Sequence, residues 1–133
     1  MRPITASLTI GHFHQHAVNS LIIGTNDDGG LVTPLSFLPQ KFRSKLEQDL
    51  RGEPTRFGLS PKQASTNVRF LSGGERCRMC MVLMMLESHQ LLVIDGITNH
   101  LDVESVNALG YGLRKWNGTI VMASHDAHLI RAI

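Results

Sequence analysis

The residues best suited to chemistry form one short run, Ser72-Gly73-Gly74-Glu75, directly after Leu71. Two glycines at the start of a helix let the backbone approach an anion closely, and the unpaired N–H groups of the first turn point towards it. A serine before them can cap the helix and offer its hydroxyl group as a further donor. The run therefore predicts a phosphate-binding loop at a helix N-terminus.

A second candidate functional residue is an aspartate that ends an apolar run. Residues 91–94 are Leu-Leu-Val-Ile, and Asp95 follows them. A continuous apolar run is expected of a central strand in a parallel sheet, which is covered on both faces. Asp95 is therefore expected at the carboxyl end of a buried strand.

These residues need a scaffold, and the second half of the chain predicts one. The helix capped by Ser72 should run to about residue 87. A helix over residues 103–116 then separates the strand at 91–94 from a second buried strand at 119–123, and a last helix begins at residue 127. Strands that alternate with helices indicate a parallel sheet in an α/β layer.

The first half of the chain carries weaker signals. Alternating apolar and polar residues over 8–18 predict a strand that leads into a loop. The spacing of Phe42, Leu46 and Leu50 predicts a short helix over residues 41–50, which Gly52 and Pro54 should end. The pair Ser60-Pro61 predicts a further helix start, with serine as the cap and proline in the first turn.

The order of these motifs resembles the nucleotide-binding domain of ABC ATPases. The run Thr98-Asn99-His100-Leu101-Asp102 is similar to the sequence motif of the ABC-F branch at this position. Ser124-His125-Asp126 follows the next predicted strand. The resemblance implies an α/β fold: a partial P-loop NTPase-like (ABC) domain with a parallel sheet and a small α-helical subdomain. It also implies a Q-loop strand region at 1–18, the helical subdomain at 19–72, and the core from signature helix to H-loop at 73–133.

The resemblance also implies roles for single residues. Ser72, Gly73, Gly74 and Glu75 would form the signature loop, which grips the γ-phosphate of ATP bound on an opposite domain. Asp102 would end the D-loop that crosses between the domains, and Asp95 would hold Mg²⁺. His125 would be the switch histidine that contacts the γ-phosphate, and Gln15 would touch Mg²⁺ and the lytic water. The implied cofactors are ATP and Mg²⁺, and the implied partner is a second ABC domain across an ATP sandwich.

Two features depart from the family pattern. Gly96 and Ile97 stand where the family carries its catalytic Glu and a Pro. Glycine cannot orient the attacking water, and such a group contributes about 10²–10⁴-fold to a rate. The sequence also contains no G-x-x-x-x-G-K-[ST] motif, the P-loop that the family carries in a first third that would precede this sequence. Three lysines lie outside Gly-rich loops and are no substitute: Lys41, Lys45 and Lys62.

Composition sets broader bounds. The 133 residues suffice for one domain, and 42% hydrophobic with 18% charged residues is ordinary for a globular protein. A net charge of +2 does not by itself indicate RNA binding. Cys77 and Cys80 lie among methionines and are expected to be core residues. The sequence predicts neither a signal peptide nor a transmembrane helix, so the cytoplasm is the expected location and no membrane partner is expected.

Two classes of function fit these observations. The first is a stretch of an ABC-F ATPase that acts on ribosomes or translation and is impaired in hydrolysis by itself. The second is a non-catalytic half-domain that pairs with an intact ATPase and modulates it, which Gly96 favours. The ATPase subunit of a membrane transporter is less favoured, because Asn99-His100 differs from the SALD-type motif that transporters carry at this position.

Overall fold

A three-stranded parallel sheet and six α-helices make up the part of the chain that the structure, a computed structural model, describes: residues 7–14, 32–95, 101–124 and 127–132. In chain order the elements are β1 Ile10–Phe13, α1 Pro34–Lys41, α2 Glu47–Arg56, α3 Pro61–Ala64, a 3-10 turn Val68–Phe70, α4 Gly73–Leu86, β2 Leu91–Asp95, α5 Val103–Lys115, β3 Thr119–Ala123 and α6 Ala127–Ala132. The α/β class expected from the sequence is confirmed.

The sheet brings its three carboxyl ends to one edge. The strand order is β1-β2-β3 and both pairings are parallel. Phe13 lies opposite Ile94, and Asp95 lies opposite Ala123. Since parallel strands point the same way, the residues that end them are neighbours along this edge.

Burial differs between the central strand and its neighbour. In β2, Leu92 and Ile94 are buried while Leu91 and Val93 are half-buried, so one face is more fully covered than the other. The expectation that β3 is a buried strand is wrong: its residues are exposed or half-buried, and Val121 is 54% exposed. The reason is position, because β3 is an edge strand of the described sheet and only alternate side chains of it pack on the core.

Helix α4 forms the centre of the core. Every residue from Cys77 to Met84 in this helix is buried. A helix that is apolar all round either lies inside a core or crosses a membrane. Helix α4 has 14 residues, and no described helix is both long and apolar enough for a membrane crossing. As expected, both cysteines are core residues, and burial raises the pKa of each thiol to about 12.

The prediction of one helix over residues 41–50 is wrong. Helix α1 ends at Lys41 and α2 begins at Glu47. Thr33 and Ser36 form a capping box that starts α1 early, with Pro34 at the first position. Leu46 is 63% exposed, so the apparent apolar stripe does not share one buried face.

Prolines lie inside both of these helices instead of ending them. Pro39 lies within α1 and Pro54 within α2. A proline removes one helical hydrogen bond, which disfavours it in a helix interior. Here the helices bury Leu38, Leu50 and Pro54 itself, and this apolar burial offsets the lost bonds.

Candidate functional site

The start of α4 is a closed capping box that leaves two N–H groups free. Ser72 Oγ accepts from the Glu75 N–H at 3.2 Å, and Glu75 Oε2 accepts from the Ser72 N–H at 2.9 Å. A helix begins with four N–H groups that lack an intrahelical acceptor. The box satisfies two of them, which leaves those of Gly73 and Gly74 at the positive end of the helix dipole.

The two glycines meet different surroundings. A Cβ built on Gly73 would meet no atom within 4 Å, so this residue faces open space. A Cβ built on Gly74 would lie 2.5 Å from Asp102 Oδ2 and 3.2 Å from its Cγ. Gly74 is therefore required by the close approach of Asp102, whereas Gly73 leaves room for a ligand.

A buried arginine joins this loop to the start of α5. The side chain of Arg78 is 3% exposed, and its Nη1 donates to both carboxylate oxygens of Asp102 at 3.1 Å. The same Nη1 donates to Ser105 Oγ at 3.1 Å, and Nη2 lies 3.5 Å from Glu104 Oε2. Arg78 therefore holds the residue predicted to end the D-loop against the helix that carries the predicted signature loop.

Asp102 also caps α5. Its Oδ1 accepts from the Ser105 N–H at 2.8 Å, and the buried Ser105 hydroxyl donates to the Gly74 carbonyl at 3.4 Å. Hydrogen bonds from Ser105 and the charge of Arg78 hold the pKa of Asp102 below its usual value of 3.8. Asp102 is therefore an anion at neutral pH, and it neutralises Arg78.

The sheet edge carries the second group of candidates. Asp95 ends β2, is exposed, and lies opposite Ala123 in β3. Its carboxylate suits Mg²⁺, which prefers oxygen ligands with room for water. Gln15, Gly96 and His125 lie outside the described residues. The structure thus groups the Ser72–Glu75 loop with Asp102, and it places Asp95 at the sheet edge.

Two residues of the loop's surroundings were not predicted from the sequence. Arg78 follows Gly74 by four positions, so its place on the same helix face is a signal that could have been read. Gln63 donates from Nε2 to Glu75 Oε1 at 2.8 Å. Its capping position after Ser60 is visible in the sequence, but its contact with Glu75 is tertiary and leaves no local signal.

Comparisons with known proteins find relatives over most of this chain. No family model matches the chain. ATP-binding cassette sub-family F member 3 of Rattus norvegicus is 34% identical over 127 residues, which cover 96% of this chain and 17% of that protein. ATP-binding cassette sub-family F member 2 of Mus musculus is 30% identical over 125 residues, which cover 93% of this chain and 19% of that protein. The chain thus spans less than a fifth of these relatives.

Among solved structures, the fold is similar to the ATP-binding cassette MJ0796, determined as a dimer in a post-hydrolysis state with ADP and Pi. The TM-score is 0.63 at 20% identity, and the match covers 94% of this chain and 56% of that one. At this identity the likeness establishes the fold. The three parallel strands and their helices are accordingly part of an ABC ATPase fold.

Proposed function

Because the chain belongs to the ABC-F family over the residues it shares with these relatives, we propose that it supplies the trans-acting half of an ATP site. The loop from Ser72 to Glu75 binds the γ-phosphate of ATP that is held by a second ABC domain. That domain lies in the same or in another polypeptide. Asp102, attached to the loop through Arg78, lies at the contact between the domains.

The observation that carries this proposal is the pair of free N–H groups at Gly73 and Gly74. They lie at the start of a 14-residue helix, and Gly73 faces open space. Backbone N–H groups with a helix dipole behind them form an anion site. Such a site suits the terminal phosphate of a nucleotide whose other atoms are bound elsewhere.

The sheet edge serves a second nucleotide in this proposal. Asp95 holds Mg²⁺, with Gln15 as a further ligand, and His125 contacts the γ-phosphate. When bound, Mg²⁺ neutralises charge that develops on the phosphates. Gly96 stands beside Asp95 without a side chain to orient water, so this chain contributes binding more than hydrolysis. Gly96 also favours the second candidate function, a non-catalytic half-domain that modulates an intact ATPase.

The wider role follows the family. We place the chain in a cytoplasmic, ATP-dependent factor that acts on translation, with the ribosome as the larger partner. The support is the ABC-F sequence over residues 98–102 together with the named relatives. The net charge of +2 allows contact with RNA without indicating it.

Calorimetry with an intact ABC-F domain tests the proposal. ATP–Mg²⁺ is titrated into the chain alone, into the intact domain alone, and into their mixture. We expect no heat from the chain alone and a higher ATP affinity in the mixture than in the intact domain alone. A mixture that binds ATP no better than the intact domain would overturn the proposal.

A charge variant locates the effect at the loop. Gly73→Glu adds an anion where a Cβ meets no atom within 4 Å. A carboxylate in the first turn stabilises a helix, so the variant should fold at least as well as the parent chain, yet it should repel phosphate. The matched control is Thr55→Glu on α2, which has the same charge and an exposed position. We expect Gly73→Glu to abolish the gain in ATP affinity and Thr55→Glu to keep it.

A further inference from the structure

Two helix caps are joined in series next to the phosphate loop. At the start of α3, Ser60 Oγ accepts from the Gln63 N–H at 3.2 Å, and Gln63 Oε1 accepts from the Ser60 N–H at 2.8 Å. At the start of α4, Ser72 and Glu75 form the same reciprocal pair. Gln63 Nε2 then donates to Glu75 Oε1 at 2.8 Å, which connects the two boxes.

Each group in this chain of bonds has one atom left for the connection. Gln63 uses Oε1 for its own cap, so only Nε2 remains. Glu75 uses Oε2 for the Ser72 N–H, so only Oε1 remains. Turning the amide over would place its oxygen against the carboxylate and its NH₂ group against the Ser60 N–H. Both contacts are repulsive, so the donor direction is fixed.

We propose that Gln63 is a positioning residue for the phosphate loop, the loop from Ser72 to Glu75. This inference rests on the proposed function. The amide holds the Glu75 carboxylate towards α3, away from the open side of Gly73. It also satisfies the carboxylate oxygen that the Ser72 cap does not use. An anion that turned towards the loop would repel the phosphate. Gln63 therefore keeps the N–H groups of Gly73 and Gly74 available.

An exchange of the two side chains tests the link. Gln63→Glu puts two carboxylates 2.8 Å apart where a hydrogen bond now lies. Glu75→Gln puts two NH₂ groups face to face, or breaks one cap if an amide turns over. The double variant Gln63→Glu/Glu75→Gln restores every bond with the donor direction reversed and leaves the net charge unchanged. No other pair of substitutions at these positions is expected to do so.

We expect each single variant to lose part of the gain in ATP affinity and the double variant to recover it. In calorimetry with ATP–Mg²⁺ and an intact ABC-F domain, each single variant should reduce the gain in ATP affinity about tenfold, the size of one hydrogen bond to a charged group. In Gln63→Glu the reason is that the Glu75 carboxylate is repelled towards the loop, and in Glu75→Gln it is that the cap which orders the loop is strained or broken. The double variant should return to within about twofold of the parent chain, since its bonds are matched again. Single variants that keep the full gain, or a double variant no better than the singles, would overturn the proposal.

A control and a second readout separate this proposal from its premise. Thr33→Ala removes the capping box of α1, a comparable loss that does not touch Glu75. Below its melting temperature, Thr33→Ala should keep the full gain in ATP affinity. If the role of Gln63 were merely structural, the Gln63 and Glu75 single variants would keep that gain as well. Amide exchange over residues 71–76 of the chain alone needs no partner: it should be faster in the single variants and normal in the double. If the parent chain leaves ATP affinity unchanged, the proposed function fails. Normal exchange in the single variants instead shows that Gln63 does not position the loop.

Discussion

The two glycines of the phosphate loop should respond oppositely to the same substitution. In Gly74→Ala the new Cβ would lie 2.5 Å from Asp102 Oδ2 and 3.5 Å from Arg78 Nη1. The aspartate cannot swing away freely, because it caps α5 and binds Arg78. Forcing a methyl group into such a contact costs about 1–3 kcal/mol. Alanine also favours a helix over glycine by about 1 kcal/mol at most.

The net expectation for Gly74→Ala is therefore a loss of about 0–2 kcal/mol in the free energy of unfolding, which is about 1–3 kcal/mol below the expectation for Gly73→Ala. In Gly73→Ala nothing lies within 4 Å of the new atom, so the helix gain stands alone and stability should be unchanged or slightly higher. Urea unfolding followed by circular dichroism measures both. At about 3 °C per kcal/mol, the melting temperatures should differ by several degrees.

The refuting result is specific. Equal stability of the two variants would mean that Asp102 does not press on Gly74. A further check is Asp102→Ala, which removes the oxygen that Gly74→Ala would strike. The double variant should be no less stable than Asp102→Ala alone, because contacting residues are not additive. A fully additive loss would contradict the contact even if the single variants behave as expected.

Three further outcomes follow from the described contacts. The folded-state pKa of Asp102 is lowered below 3.8, so its ionised form contributes stability that is complete above roughly pH 5 and is lost as the pH falls through the folded pKa. The loss of stability in acid should therefore be shallower in Asp102→Asn. With thiol pKa values of about 12, Cys77 and Cys80 should react with iodoacetamide at pH 8 only after unfolding, and reaction in the folded chain would show them to be accessible. An exposed edge strand can pair with another chain, so Val121→Lys should weaken any self-association that light scattering detects through β3. An associated parent chain whose molar mass is unchanged in the variant would exclude that edge as the contact.

The second half of the chain was predictable because its signals are local. A serine cap three residues before Glu75 fixes the start of α4, and the apolar run at 91–94 fixes β2. The first half failed where tertiary burial overrides local preference. The sequence predicts that Pro54 ends a helix, but Pro54 lies inside α2, where it is buried together with Leu50. The exposure of β3 could not be predicted either, because an apolar run does not indicate whether its strand lies in the middle or at the edge of a sheet.

The candidate site divides in the same way. The loop itself is encoded in four consecutive residues, so its cap and its free N–H groups follow from the sequence. Its supports come from far along the chain: Arg78 and Asp102 are 24 positions apart, and Gln63 and Glu75 are 12 apart. Taken alone in the sequence, each of these residues would be interpreted as an ordinary polar residue of the surface. Only their meeting in the fold makes them supports of the loop.

The strength of the free donors explains why such a loop should act on a nucleotide held elsewhere. The side chains around the loop already have partners, since Arg78 binds Asp102 and Glu75 accepts a hydrogen bond from Gln63. What remains for a phosphate is two backbone N–H groups, each worth about 1.5–3 kcal/mol to a charged acceptor. Their sum of roughly 3–6 kcal/mol hardly exceeds the least that association costs, about 4 kcal/mol. At most about 2 kcal/mol remains, so the loop alone should bind ATP no tighter than tens of millimolar. When a second domain has already fixed the nucleotide, most of that association cost has been met. The same two donors can then strengthen the complex tenfold for about every 1.4 kcal/mol that they contribute.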